Sequence, residues 1–504
     1  MLLFILSSLL FLFFLKIFSS KNATKSSRTK HLPPGPKKLP FIGNLHHFIG
    51  SLPHLRLSDL AKTYGPIFHL QLGELSVVTV SNPKLAEQVL KTHELTFAQR
   101  PTFVFMEMAI YPNMIFSPYG EYWRQMRKIC VTELLSAPRV RSFKSIREEE
   151  ARGLVDNMRS LSCSPFNLSE KIFAFSNSII SKAAVGRRCK QQEAFIALLK
   201  ESVALTGGFG VAEIFPSLKF LTRLSRMKSK LDMLMGKMDK IFDSIIEEHK
   251  MEIDRSSRIN EDDALGGGED ILDVLLRLEQ SKEVGFHPTV DDIKGLILEL
   301  FGAGSYSSSA TVEWTMSELI RNPEVMAKAQ AEVRQALKGK HHVEESDLNE
   351  LKYLKSIIKE TLRLHPPAPL IPREAIEEAE IDGYRVPVNS RIIVNALTLG
   401  RDPDYWTDSE KYEPERFLES SVDFKGTDFQ FLPFGSGRRS CPGTAFAYAN
   451  IELLLASFLY HFDWKLPNGK ASEELDMTET FGMVVKRKND LNVIAIPYTP
   501  ELAA

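Results

Sequence analysis

Residues Met1 to Phe18, MLLFILSSLLFLFFLKIF, are apolar apart from two serines and Lys16, so they cannot sit on a water-facing surface. Wound as a helix at 1.5 Å per residue, the run reaches about 27 Å, the apolar thickness of a thin biological bilayer. Lys16 stands near its end, where a long side chain can snorkel to the interface. The next stretch, KNATKSSRTK, holds Lys21, Lys25, Arg28 and Lys30 and no acid. By the positive-inside bias these cations stay on the cytosolic side. A cleaved signal peptide fits less well, because no basic region precedes the run and it exceeds the usual apolar length. The expected organisation is a transmembrane signal-anchor over 1–20, a basic linker and proline hinge over 21–39, and one body over 40–504. Pro33, Pro34 and Pro36 stiffen the hinge, since proline favours extended backbone and cannot continue the anchor helix.

The body shows no repeat and no second linker. At 43% hydrophobic and 25% charged residues it can bury one large core. Lysine plus arginine (63) nearly cancels aspartate plus glutamate (64), which argues against a binder dominated by nucleic-acid phosphates. Four cysteines, Cys130, Cys163, Cys189 and Cys441, are too few for a disulfide framework. Helical periodicity marks SIREEEARGLVDNMRSL, KSKLDMLMGKMDKIFDSIIEEHK and NPEVMAKAQAEVRQALKG, while strand signals are confined to IFHLQLG, SVVTVSN, SRIIVNAL and LNVIAIP. Arg255 to Asp270 reads as a solvated loop. The class is therefore mainly α with a small β part.

The most informative stretch is FLPFGSGRRSCPG, Phe431 to Gly443. Gly435 and Gly437 permit a tight loop, and Arg438 and Arg439 put positive charge beside Cys441. Pro442 and the periodic run TAFAYANIELLLASFLYHF then open a helix, so the sulfur lies near a helix N-terminus. Both surroundings favour thiolate over thiol. No second cysteine or histidine nearby completes a zinc site. A single thiolate suits haem iron instead.

With these residues in view, the chain resembles the cytochromes P-450 along essentially its whole length. PFGSGRRSCPG is similar to the family's haem-binding loop, with Cys441 as the axial ligand. KETLRLHPP supplies Glu360 and Arg363, and YEPERF supplies Arg416, matching a buried structural charge triad. YWRQMRKIC matches the helix motif carrying Trp123 and Arg127, and LPPGP matches the proline hinge. The likeness is strongest to plant A-type enzymes of the endoplasmic reticulum, especially those oxidising terpenoids and indole alkaloids. The resemblance implies a cytochrome P-450 fold holding haem b, with Trp123, Arg127, Arg373 and Arg439 toward its propionates. Phe434, Gly435 and Gly304 would complete the haem surroundings.

FGAGSYSSSA, Phe301 to Ala310, is composed of poor helix formers yet sits between two helical halves. In the family this position holds Ala-Gly-x-Asp/Glu-Thr-Thr/Ser, on a long helix crossing the distal haem face. Small residues let the backbone approach the haem, a weakened turn opens a groove, and serine can bond back to the preceding turn. Here Tyr306 replaces the acid and Ser307 the threonine of the proton-delivering pair. Tyrosine, ionising near pH 10, is the weaker acid. Ser307, Ser308 and water can relay protons in an ordinary hydroxylase, or the change reflects ring formation, desaturation or rearrangement. Tyr306 packing on a neighbouring helix is the alternative. The resemblance further suggests substrate-facing positions at Phe103 to Ile115, Phe209 with Val211, Phe301, Ala303, Ala368 to Ile371 (including Leu370), and Thr480 to Met483 (including Phe481).

The implied activity is a membrane-bound monooxygenase acting with O2 on a small lipophilic substrate, terpenoid first and alkaloid second. Electrons would come from a separate NADPH–cytochrome P-450 reductase docking near Arg124, Lys128 and Arg438, with the anchor in the endoplasmic-reticulum membrane. A reductase-independent haem-thiolate isomerase and a non-catalytic haem carrier are the rivals.

Overall fold

The computed structural model describes residues 32–102, 111–161, 163–186, 192–206, 211–218, 220, 226–256, 269–281 and 286–498. The expected anchor, most of the basic linker, Phe209, Cys189 and most of the Arg255 to Asp270 loop lie outside these residues. Among the described residues no helix is long and apolar enough to cross a membrane.

Ten helices are used below: α1 (Pro53–Tyr64), α2 (Glu121–Ile129), α3 (Lys144–Ser160), α4 (Leu168–Val185), α5 (Arg226–Ser256), α6 (Ile271–Gln280), α7 (Val290–Arg321), α8 (Pro323–Ala336), α9 (Lys352–Leu364) and α10 (Thr444–His461). The three runs with helical periodicity form α3, most of α5 and α8, and the four strand signals all form strands. One sheet has the order β1-β2-β4-β3, built from β1 (Ile67–Leu72), β2 (Leu75–Val80), β3 (Leu370–Glu374) and β4 (Arg391–Asn395). β5 (Phe462–Lys465) pairs with β6 (Asn492–Pro497) in a second sheet, which a two-residue strand at Phe166–Asn167 completes. β3 contains Pro372, which costs no ladder bond on its outer side because β3 is an edge strand.

The central element is α7. A capping box between Thr289 and Asp292 starts it, and it runs 32 residues without a break. At 1.5 Å per residue that is about 48 Å. It packs against α4 on one side and α10 on another, and all three contribute to one large core cluster. The weak turn expected at FGAGSYSSSA is not there: the segment is regular helix. Serine and threonine hydroxyls bond back along it, Ser307 to Ala303 O (2.7 Å), Ser309 to Ser305 O (2.6 Å), Thr311 to Ser307 O (3.0 Å) and Thr315 to Thr311 O (2.8 Å). Tertiary packing overrides the poor propensity, and the hydroxyls place their own polarity inside the helix.

Candidate active site

The loop before α10 is held in shape by two left-handed residues, Gly435 (φ 70°) and Gly437 (φ 68°). A side chain at Gly437 would also strike Leu90 O at 2.3 Å, so this position admits only glycine. The Cys441 N–H donates to Phe434 O at 2.9 Å and closes the loop, while the Phe434 ring packs edge-on to Phe424. Cys441 lies deep in the fold, yet its surface is open, so it faces an internal recess. Burial pushes its thiol up from the ordinary value. The Gly443 N–H, the Thr444 hydroxyl and the charges of Arg127 and Arg100 pull the other way without prevailing. Proximity to cations and a helix end therefore does not by itself yield a thiolate here, and a bound metal would have to supply the rest.

Arginines gather at the same recess. Arg439 is spread over three carbonyls, Ala98 O (2.9 Å), Met114 O (3.4 Å) and Ser117 O (2.6 Å), and lies 4.3 Å from the Trp123 ring centre. Arg127 reaches Ser440 Oγ at 3.3 Å, and Arg373, 3% exposed, donates to the carbonyl of its neighbour Pro372. Arg100 is a fourth member, with a buried Nε that has no partner among the described residues. Sequence reasoning missed it, since nothing in the FAQRP context marks it. Burial lowers all four, and repulsion from neighbouring arginines adds to it for Arg439, Arg100 and Arg373: Arg439 to about 9, Arg100 to about 10, Arg373 and Arg127 in direction. None of the four forms an ion pair among the described residues. A group of cations around a buried thiol is unfavourable until anions enter. A flat ligand carrying two carboxylates and a thiolate-seeking metal matches this donor set, and haem is such a ligand.

Across from the loop, Ala303 of α7 is exposed and Ser307, one turn on, is half-buried on the same face. The other predicted positions divide. Tyr306 turns its ring against Phe173 of α4 at 4.9 Å, and among the described residues its hydroxyl has no partner. Burial pushes that hydroxyl up to about 12, which further weakens it as an acid. Ser308 is buried, and among the described residues its Oγ has no partner. At Gly304 a Cβ would stand 2.8 Å from Ile180 of α4, so the glycine lets the two helices pack closely. Phe301 is 4% exposed and packs edge-on to Phe195 in the core rather than onto the recess.

On the sheet side, Ala368 is exposed, Leu370 is half-buried and Ile371 is buried among sheet residues. Adjacent strand residues face opposite ways, so Leu370 and Ile371 cannot share one wall. Phe481 stacks on His54 of α1 (5.6 Å) instead of approaching α7. Met483 makes that approach: it is exposed, and its Cε lies 3.7 Å from where a Gly302 Cβ would be. The N–H of Val485 to Pro367 O (2.8 Å) holds this turn beside Ala368.

Behind α9 the charge triad forms as expected. Arg363 pairs with both Glu360 oxygens (2.7 and 2.8 Å) and donates to the carbonyls of Gly400, Ser409 and Lys411. Arg416 Nε and the Glu413 N–H both donate to Glu360 Oε1, at 3.0 and 2.8 Å. Glu360 and Arg363 are fully buried, and every oxygen and guanidinium nitrogen named here is satisfied.

A mainly helical body with a cysteine loop, an arginine cluster and a long helix around one recess defines a haem-thiolate protein. The family model described as Cytochrome P450 matches residues 33–493, and the chain belongs to that family. It is 51% identical to premnaspirodiene oxygenase from Hyoscyamus muticus, over 97% of both chains. It is 50% identical to a melianol synthase from Ailanthus altissima, over 93% of this chain and 90% of that one. It is 48% identical to 5-epiaristolochene 1,3-dihydroxylase from Nicotiana tabacum, over 97% of both. A zebra fish cytochrome P450 solved with abiraterone has the same fold, with a TM-score of 0.74 over 89% of this chain and 99% of that one, at 24% identity. The protein is thus a haem-binding cytochrome P450 monooxygenase, which requires O2, an electron-donating partner and a lipophilic substrate.

Proposed function

We propose that this chain oxygenates a plant terpenoid while anchored in the endoplasmic-reticulum membrane through residues 1–20, with 21–39 as linker and hinge and 40–504 as the catalytic body. The observation that carries the substrate class is 48–51% identity over nearly the whole chain to oxygenases named for premnaspirodiene and 5-epiaristolochene. The open apolar side chains at Ala303, Ala368 and Met483 suit such a hydrocarbon, and an alkaloid is the second candidate. Haem would be held by the Cys441 sulfur, with Arg100, Arg127, Arg373 and Arg439 toward its carboxylates and Trp123 as the platform under Arg439. Bound haem would supply the activation of O2. Ser307, whose hydroxyl lies on the Ala303 face and donates to Ala303 O, would hold and hand on a proton at its Oγ. Tyr306 packs against α4 and keeps α7 in place.

Electrons would come from an NADPH–cytochrome P-450 reductase at the face bearing Arg124, Lys128 and Arg438. Arg124 and Arg438 are tied to Glu121 (2.6 Å) and Glu94 (3.0 Å), while exposed Lys128 has no acidic partner among the described residues. A second reading, ring closure or rearrangement after oxygenation, is favoured by Tyr306 in place of an acid. The test is microsomal protein incubated with premnaspirodiene or 5-epiaristolochene under labelled dioxygen, with and without reductase and NADPH. One labelled oxygen in a product formed only with reductase supports the proposal. Reductase-independent turnover, or oxidation of alkaloid scaffolds alone, contradicts it.

A further inference from the structure

Glu299 is a carboxyl that nothing above employs. It lies one turn before Ala303 on α7 and accepts the Ile115 N–H at 2.7 Å. Its second oxygen, Oε2, is buried with no hydrogen-bond partner among the described residues. Ile115 belongs to segment 111–117, which is fastened elsewhere too. Tyr111 donates to Asp239 of α5, and Lys294 of α7 pairs with that same carboxylate at 2.6 Å. Pro112 O stands 2.0 Å from where a Cβ on Gly295 of α7 would be, so backbone meets backbone there. From the opposite direction Arg439 binds Met114 O and Ser117 O. The segment is therefore a strap from the cysteine loop to α7. With haem between those same two elements, a strap fastened to both would close one side of its site.

We propose that Glu299 is a positioning residue: by holding the Ile115 amide it fixes strap 111–117 against α7 and sets the width of the wall past which a ligand reaches the haem. The strap has no regular secondary structure of its own, and Ile115 is its tie to α7 between the Gly295 contact and Arg439. Removing the acceptor leaves a covered N–H without a partner, and the strap must move outward to find water. The inference rests on haem lying between Cys441 and α7.

Full-length wild type, E299Q and E299A, each checked for haem-thiolate content, provide the test. Amide exchange at Ile115 should be accelerated about tenfold in E299A, the effect of losing a hydrogen bond worth ~1.4 kcal/mol, and should stay near wild type in E299Q, which keeps an acceptor oxygen. The association rate of the bulky azole clotrimazole, relative to that of imidazole, should rise in E299A and not in E299Q. Unchanged exchange in E299A overturns the proposal, as does faster exchange with an unchanged azole ratio, or E299Q behaving as E299A. Should E299A fail to load haem, wild type alone decides. Ile115 should exchange at least about tenfold slower than Phe116, whose N–H donates within the strap to Asn113 Oδ1 at 2.9 Å, and equal rates overturn the proposal. Wild type lacking any azole shift would sink the haem placement instead, while the exchange data would still judge the hold of Glu299 on Ile115.

Discussion

The Arg439 guanidinium lies 4.3 Å from the centre of the Trp123 ring and, from that position, reaches three carbonyls of 98–117. One side chain thus joins the cysteine loop, α2 and the strap. Lysine can neither stack as a plane nor span three acceptors. Arg439→Lys should lower stability by about 2–4 kcal/mol and reduce the fraction of protein retaining haem. Thermal unfolding and haem content of the purified variant check this, and wild-type values for both would contradict it.

The buried triad makes a sharper demand. Glu360→Gln leaves Arg363 and Arg416 facing a neutral amide inside the fold. Breaking a buried pair from one side costs about 3–5 kcal/mol, a large part of a domain's stability. The variant should accumulate as aggregated, haem-poor protein. Soluble, haem-replete Glu360→Gln with an unchanged melting temperature would contradict the structural role.

On α7 the hydroxyls of Ser307 and Tyr306 are assigned different work. Tyr306→Phe keeps the ring against Phe173, so the yield of product per NADPH should stay within about twofold of wild type. Ser307→Ala removes the hydroxyl on the Ala303 face and should lower that yield at least about tenfold, with hydrogen peroxide released instead. If Tyr306→Phe uncouples as severely as Ser307→Ala, the proton path includes the phenol.

His249 ties the end of α5 to the N-cap of α6, its Nε2 lying 3.1 Å from Asp270 Oδ2 and its Nδ1 3.0 Å from Ile245 O. Burial lowers its pKa, but the Asp270 hydrogen bond and charge, the Ile245 carbonyl and the Asp273 charge together raise it overall. A raised histidine stabilises fully below its unfolded value near 6.5, and the contribution is lost as pH rises through the folded value. Wild type should exceed His249→Ala in stability by about 1 kcal/mol more at pH 6 than at pH 9, read by urea unfolding. A gap that grows with pH would contradict the sign.

Much of this was legible in the chain because local chemistry dictated it. Glu360, Arg363 and Arg416 announce themselves through helix spacing and a matching motif, and Cys441 through two glycines and two arginines in one loop. The four strands stand out as short runs rich in valine and isoleucine. What stayed hidden depends on distant partners. Nothing near Gly304 in the chain reveals its packing against Ile180. Helix phase turns Phe301 toward Phe195, and Phe481 finds His54, and neither partner is legible locally. Met483, two residues beyond Phe481, takes the approach to α7. Arg100 and Glu299 carry no motif, and only the fold brings one beside Cys441 and the other beneath Ile115.

The claim on which the others stand is that Cys441 sulfur holds the haem iron, and the carbon monoxide difference spectrum of reduced protein tests it most directly. Wild type should give the red-shifted Soret band of thiolate-ligated haem, and Cys441→His, with haem still bound, should lose it. A thiolate band that persists in Cys441→His, or haem-replete wild type that never shows one, would contradict the assignment.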